Sequence, residues 1–174
     1  MIVVDANFLV LMFDHDAMPH IPRGADRIRH YIDILTSDRQ TIVIPTPAIS
    51  ELVVGRLPRL NEIITEIRRQ RCFKIQDFDQ PIAIETGIII DATFRRRSET
   101  PPVDSRNAFK YDAMIAATAR VLGADAICTD DRGYGKWVDG TNIAVRKIAD
   151  LPLPPQPAQQ PLPFEAGVTA SPSP

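Results

Sequence analysis

The chain opens on an apolar run, Ile2-Val3-Val4, that resumes at Phe8-Leu9-Val10-Leu11, and the only charge within it is Asp5. A stretch of this kind reads as a strand buried on both faces, as the strands of parallel sheets are. An ionised carboxylate in such a place costs several kcal/mol unless something compensates it. No basic residue lies nearby in sequence to do so. Two compensations are open. In one, the strand ends at Val4 and Asp5 caps a helix starting near Ala6, accepting a backbone N–H for about 1 kcal/mol. In the other, Asp5 stands at the carboxyl end of a central parallel strand, where open α/β sheets put their ligands, and its partner is a metal ion.

A length of 174 residues allows one domain with a tail, large enough to bury a core without disulfides. Cys72 and Cys128 each lie in a short apolar run with no second Cys or His at ligand spacing, so they read as packed thiols. The N-terminus lacks the basic region of a secretory leader, and no stretch approaches the roughly 20 apolar residues of a membrane span. A cytoplasmic protein without membrane contact is expected. The net charge of −2 argues against nucleic-acid binding through global positive potential. Arginines do gather in Arg68-Arg69-Gln70-Arg71 and Arg95-Arg96-Arg97, each at a helix end, where they complement the helix dipole.

Strand and helix patterns alternate along the chain. Ala6 to Phe13 reads as a short helix, and Asp14 to His20 as an exposed loop, because its two carboxylates and two imidazoles match no helical face and Pro19 breaks it. Ile28, Tyr31, Ile32 and Leu35 form one apolar helical face, with His30 at or near the surface. Thr41 to Pro45 is a buried strand. Thr46-Pro47 then starts a helix carrying Glu51 within its first turn and a half, where an acid complements the dipole. Leu60, Ile63, Ile64 and Ile67 mark the next helix, and Cys72 to Ile75 a third strand. A helix follows from Asp79 and Pro81 to Phe94, with Asp91 facing solvent, and Ser98 to Arg106 forms a loop. The small-residue helix Asn107 to Arg120, stopped by Gly123, holds Asp112, a poor interior helix residue that reads either as an exposed first-turn acid or as part of a site. Ala124 to Thr129 is a fourth strand ending in Asp130-Asp131-Arg132-Gly133, and Asn142 to Val145 a fifth. Trp137 reads as a core or rim residue. Eight prolines between Pro152 and Pro174 mark an extended, disordered tail, so the domain is placed at 1–148 and the tail at 149–174.

This alternation implies a single α/β domain, a mostly parallel sheet of about five strands with helices on both faces. Asp5, Glu51, Asp112 and Asp131 then all fall where they can face one crevice at the carboxyl edge of the sheet. Carboxylates so gathered repel one another unless some are protonated or a cation joins them. Oxygen ligands alone favour a hard ion, Mg²⁺ or Mn²⁺, and such an ion serves metal-assisted phosphodiester hydrolysis.

The segments Val4-Asp5-Ala6-Asn7, Pro47-Ala48-Ile49-Ser50-Glu51-Leu52, Tyr111 to Ala119 and Ile127-Cys128-Thr129-Asp130-Asp131 resemble those of the PIN-domain ribonucleases. In size and motif order the chain is most similar to the VapC-like toxins of type II toxin–antitoxin pairs. The resemblance covers residues 1 to 148, and its most specific motif is Asp112-Ala113-Met114-Ile115-Ala116-Ala117-Thr118-Ala119. It implies an endoribonuclease cutting single-stranded RNA with Mg²⁺ (or Mn²⁺), in which Asp5, Glu51, Asp112 and Asp131 are the catalytic, metal-binding acids. Asn7, Thr129 and Asp130 take supporting roles, since the family spaces the threonine and the acid by one residue and so selects Asp131. Lys110 and Arg132 are candidate RNA contacts. The resemblance further implies a cognate antitoxin and a homodimer. Alternatives on the same fold are a housekeeping RNA-processing nuclease and a non-catalytic binding module. A receiver domain fits poorly: Asp77 follows the third strand, where its phosphoacceptor would stand, but Lys147 lies outside the expected loop and no acidic pair precedes Asp5.

Overall fold

The computed structural model describes residues 1–96 and 105–155. Five strands make one sheet: β1 (Ile2–Val4), β2 (Ile42–Pro45), β3 (Phe73–Gln76), β4 (Ala126–Cys128) and β5 (Ala144–Arg146). Their order is β3-β2-β1-β4-β5, and every pairing is parallel. β1 is therefore the central strand. Its three residues are buried, as are all those of β2 and β4 beside it. β3 (Phe73-Lys74-Ile75-Gln76) and β5 (Ala144-Val145-Arg146) are edges, and neither has a fully buried residue.

The helices are α1 (Ala6–Phe13), α2 (Gly24–Ser37), α3 (Thr46–Val53), α4 (Leu60–Arg69), α5 (Gln80–Arg96) and α6 (Ser105–Val121). From β1 the chain steps one way to β2 and β3, then crosses back past β1 to β4 and β5. Right-handed crossovers put α1 to α4 on one face and α5 with α6 on the other. The direction reverses between β1 and β4, and in open α/β sheets the carboxyl ends of the strands at such a reversal are where ligands bind.

The core is one aliphatic cluster drawn from β1, β2, β4 and the inward faces of the helices, with Phe8, Tyr134 and Trp137 among its largest fully buried side chains. Both cysteines are buried and free. α6 ends in paired 6→1 and 5→2 turns, Ala124 N–H to Ala119 C=O (2.9 Å) and Gly123 N–H to Arg120 C=O (3.1 Å), with Gly123 at φ +61°. This is the stop the glycine foretold, because only glycine takes that conformation without strain.

Several boundaries shift by one to two residues from the sequence reading; β4, for one, is Ala126–Cys128 where residues 124–129 were expected. α6 begins at Ser105, so Ser105 and Arg106 belong to the helix; the rest of the expected Ser98–Arg106 loop lies outside the described residues. Glu51 is the sixth of the eight residues of α3, about a turn and a half in as expected; in so short a helix that is also the last turn, beyond the reach of the positive dipole end. Residues 149–151, placed with the tail, pack on the domain: Ile148–Asp150 forms a 3₁₀ turn, Leu151 is buried, and its carbonyl accepts from the Arg27 guanidinium. The proline-rich stretch from 156 onward lies outside the described residues. Among the described residues no helix is long and apolar enough to cross a membrane.

Candidate active site

Asp5 answers both readings of the sequence at once. It follows β1 at the carboxyl edge and it is the N-cap of α1, its Oδ1 accepting the Phe8 N–H at 3.0 Å. The parallel register explains its second partner. Val4 lies opposite Cys128, so the next residues of the two strands, Asp5 and Thr129, stand side by side. The Thr129 hydroxyl donates to Asp5 Oδ2 at 2.5 Å, and its oxygen accepts the Asp131 N–H at 3.1 Å. Thr129 is fully buried and Asp5 only 5% exposed. These two bonds favour the charged carboxylate, yet burial outweighs them, and Glu51 and Asp112 add repulsion; the Asp5 carboxyl is pushed up to about 7.

Glu51 reaches the same region from the last turn of α3. It is half-buried, and burial, reinforced by the charge on Asp112, pushes it up to about 7. Asp112 comes from the far face of the sheet, two turns into α6, and is half-buried rather than an exposed first-turn acid. Burial and the charge of Asp131 raise it to about 6, against the ammonium of Lys136 and the indole N–H of Trp137, which pull it down. That indole nitrogen is buried and short of a proper hydrogen bond, so its effect on Asp112 is a dipole's approach and not a formed bond.

Asp131 is the outermost acid. It is exposed, and its Oδ1 accepts the Gly133 N–H at 2.7 Å, which turns the carboxylate toward its own loop. Asp130, its neighbour, pairs with His20 at 3.2 Å, so the loop of Asp14 to Gly24 reaches the sheet's carboxyl edge. Asn7, in the first turn of α1, is half-buried, whereas Lys110 and Arg132 are exposed. Of the arginine runs, Arg68, Arg69 and Arg71 are exposed at and beyond the end of α4, and Arg95 pairs with Asp91 at 2.9 Å. The side chains of Arg96 and Arg97 lie outside the described residues.

The topology thus brings three of the four acids into mutual electrostatic contact and hangs the fourth at the rim. In the positions they occupy, no three carboxylate, imidazole or thiol groups among the described residues stand close enough to hold one ion. The donor chemistry nonetheless fits a hard divalent cation. All the donors are oxygens, and three are held toward their neutral form by burial and mutual repulsion, the condition that a cation relieves.

Sequence reading missed a second group. The 3₁₀ turn Tyr134–Trp137, after β4, folds back over α6. Tyr134 is fully buried and its hydroxyl donates to the backbone carbonyl of Asp112 at 3.1 Å, tying the turn to the helix at the acid itself. Trp137 packs edge-on against Phe109 with ring centroids 4.3 Å apart. The only hint in the sequence is two aromatics soon after an acidic turn, a pattern that also describes ordinary core.

A scan against protein-family models gives no match, nor does a comparison with curated proteins. Solved structures do match. A VapBC2 complex from Rickettsia felis, bound to promoter DNA, holds a chain that superposes with TM-score 0.60 at 15% identity, covering 84% of this chain and 98% of that one. The FitAB complex on an IR36 DNA fragment gives TM-score 0.59 at 19% identity, over 87% and 98%. A DNA-bound VapBC complex from Salmonella typhimurium gives 0.57 at 20%, over 84% and 97%. The fold is that of a PIN domain. Its structural neighbours are PIN-domain toxins of the VapC and FitB kind, and the PIN sheet, five parallel strands with β1 at the centre, is the scaffold on which Asp5, Glu51 and Asp112 converge.

Proposed function

We propose that this chain is a divalent-cation-dependent endoribonuclease that cuts single-stranded RNA and acts as the toxin of a toxin–antitoxin pair. The observation that carries the reading is the convergence of Asp5, Glu51 and Asp112, from β1, α3 and α6, on the carboxyl edge at the switch point, each with its pKa raised. A structural core has no use for three repelling acids, whereas a site that recruits a cation does. Asp5, Glu51 and Asp112 would hold Mg²⁺ or Mn²⁺, with Asp131 completing the set once it turns from Gly133. The ion would supply Lewis-acid activation of water and neutralisation of charge on the phosphoryl oxygens.

The protein's own part is to hold the acids in place. Thr129 fixes Asp5, the Asp131 loop is pinned through the same hydroxyl, and Tyr134 fixes the turn of α6 that carries Asp112. Lys110 and Arg132, both exposed, offer contacts to the RNA backbone, whose affinity then falls with salt. The toxin assignment, with a cognate antitoxin and a homodimer, is supported by the fold shared with the VapBC and FitAB complexes. The deciding experiment compares wild type with Asp112→Asn on a single-stranded RNA in Mg²⁺ and in chelator. Cleavage by wild type in Mg²⁺ alone, lost in the variant at unchanged circular dichroism, is the result expected. Equal cleavage by both proteins, or cleavage indifferent to chelator, overturns the reading.

A further inference from the structure

Lys136 stands beside the acids without being bonded to them. Its ammonium nitrogen lies 4.7 Å from the ring centroid of Trp137 and 5.4 Å from that of Phe109, so two aromatic faces hold it. It lies close enough to Asp112 to pull that acid's pKa down. A side-chain carbon at Gly133 would sit 3.5 Å from the ammonium and 3.3 Å from Asp131 Oδ1, so the nitrogen and the carboxylate both pack close over Gly133. Among the described residues no acceptor lies within hydrogen-bond or ion-pair distance of Nζ. The side chain is only half-buried.

A structural lysine at such a place would close on Asp112 or Asp131, since an ion pair gains from contact. A solvated one would not be held against two rings, because ordering so long a side chain costs rotamer entropy. An ammonium clamped by aromatic faces beside an acidic group, with no protein acceptor among the described residues, is arranged to receive an anion. The acids repel an anion, and this cation, together with a divalent ion bound among them, offsets that repulsion.

We propose that Lys136 binds a non-bridging oxygen of the RNA phosphate that approaches the acids, with Phe109 and Trp137 holding the ammonium in place. The inference rests on the ribonuclease reading above. It names a substrate contact additional to Lys110 and Arg132, and one fixed by packing where those two are exposed.

The test measures binding separately from cleavage. A fluorescent single-stranded RNA, left uncut in chelator because cleavage needs the divalent ion, is titrated with wild type, Lys136→Met and Lys136→Arg over a salt series by anisotropy. Cleavage of the same RNA in Mg²⁺, and Mg²⁺ affinity, are measured in parallel. Methionine keeps the stem packed on the rings and removes only the charge, and Trp137, the only tryptophan, reports by its fluorescence that the clamp is intact. Lys136→Met should bind about tenfold more weakly at low salt, with a salt slope shallower by about 0.7, the single-strand value for one lost phosphate contact. Lys136→Arg should recover most of the binding. Equal affinity and slope in a folded Lys136→Met overturn the assignment while leaving the nuclease reading standing. So does a variant whose only change is tighter Mg²⁺ binding, which would make Lys136 an internal counter-ion. If wild type neither binds nor cuts RNA, the nuclease reading itself fails, and that outcome is read from wild type alone.

Discussion

Replacing Asp5 by asparagine should stabilise the protein in the absence of divalent cations, and only at high pH. The carboxyl moves from 3.8 to about 7 on folding, chiefly because burial penalises its charge. Each pKa unit is ~1.4 kcal/mol, so folding with the charged acid costs at most about 4 kcal/mol more than folding with the neutral one. The folded state holds the proton more tightly than the unfolded state. Stability from this group is therefore full below about pH 4, falls as pH rises, and is lost above about 7. Asparagine has the same shape and still accepts the Phe8 N–H, while its amide donates to the Thr129 oxygen in place of the bond that the hydroxyl made to the acid. With about 1 kcal/mol charged to that rearrangement, Asp5→Asn should exceed wild type by roughly 2–3 kcal/mol at pH 8 in chelator, and the gap should close by pH 4. Urea unfolding followed by Trp137 fluorescence measures both. A variant less stable than wild type at pH 8, or a gap the same at both pH values, would refute the assignment of a strained, buried charge at this position.

Two further substitutions probe the frame around the acids. Thr129→Val strips the hydroxyl that serves Asp5 and the Asp131 N–H together, and should destabilise by about 1–3 kcal/mol in urea unfolding, since valine fills the space but leaves both partners unpaired. Gly123→Ala puts a Cβ on a residue at φ +61° and should cost about 1 kcal/mol by the same assay, although nothing lies within 4 Å of the added carbon.

Much of this architecture could be read from the chain because the decisive signals are local. Runs such as Ile42–Pro45 and Ala126–Cys128, buried throughout, carry their strand identity in unbroken apolar sequence, and Gly123 and Pro47 mark helix ends by backbone chemistry alone. Asp5 was conspicuous for the opposite reason, as one charge in an apolar run. Its two readings could not be separated in sequence because the cap and the sheet edge coincide in space, which only the register with Cys128 reveals. Glu51 stands along α3 where the sequence puts it, in a helix from Thr46 to Val53, but its half-burial beside Asp112 depends on how α3 meets α6 and is not encoded locally. Lys136 and Tyr134 were invisible. Their roles depend on the 3₁₀ turn folding back over α6, a contact between residues 22 apart in the case of Tyr134 and Asp112, and no periodicity encodes it.

The claim on which the account turns is that Asp5, Glu51 and Asp112 form a site for a divalent cation, and a Mn²⁺ titration followed by electron paramagnetic resonance tests it most directly. Wild type at pH 8 should remove free Mn²⁺ signal with one or two equivalents bound per chain, and Asp112→Asn should weaken that binding at least tenfold, as expected when a charged ligand is lost. Wild type that leaves millimolar Mn²⁺ free, or a variant that binds it equally well, would contradict the account.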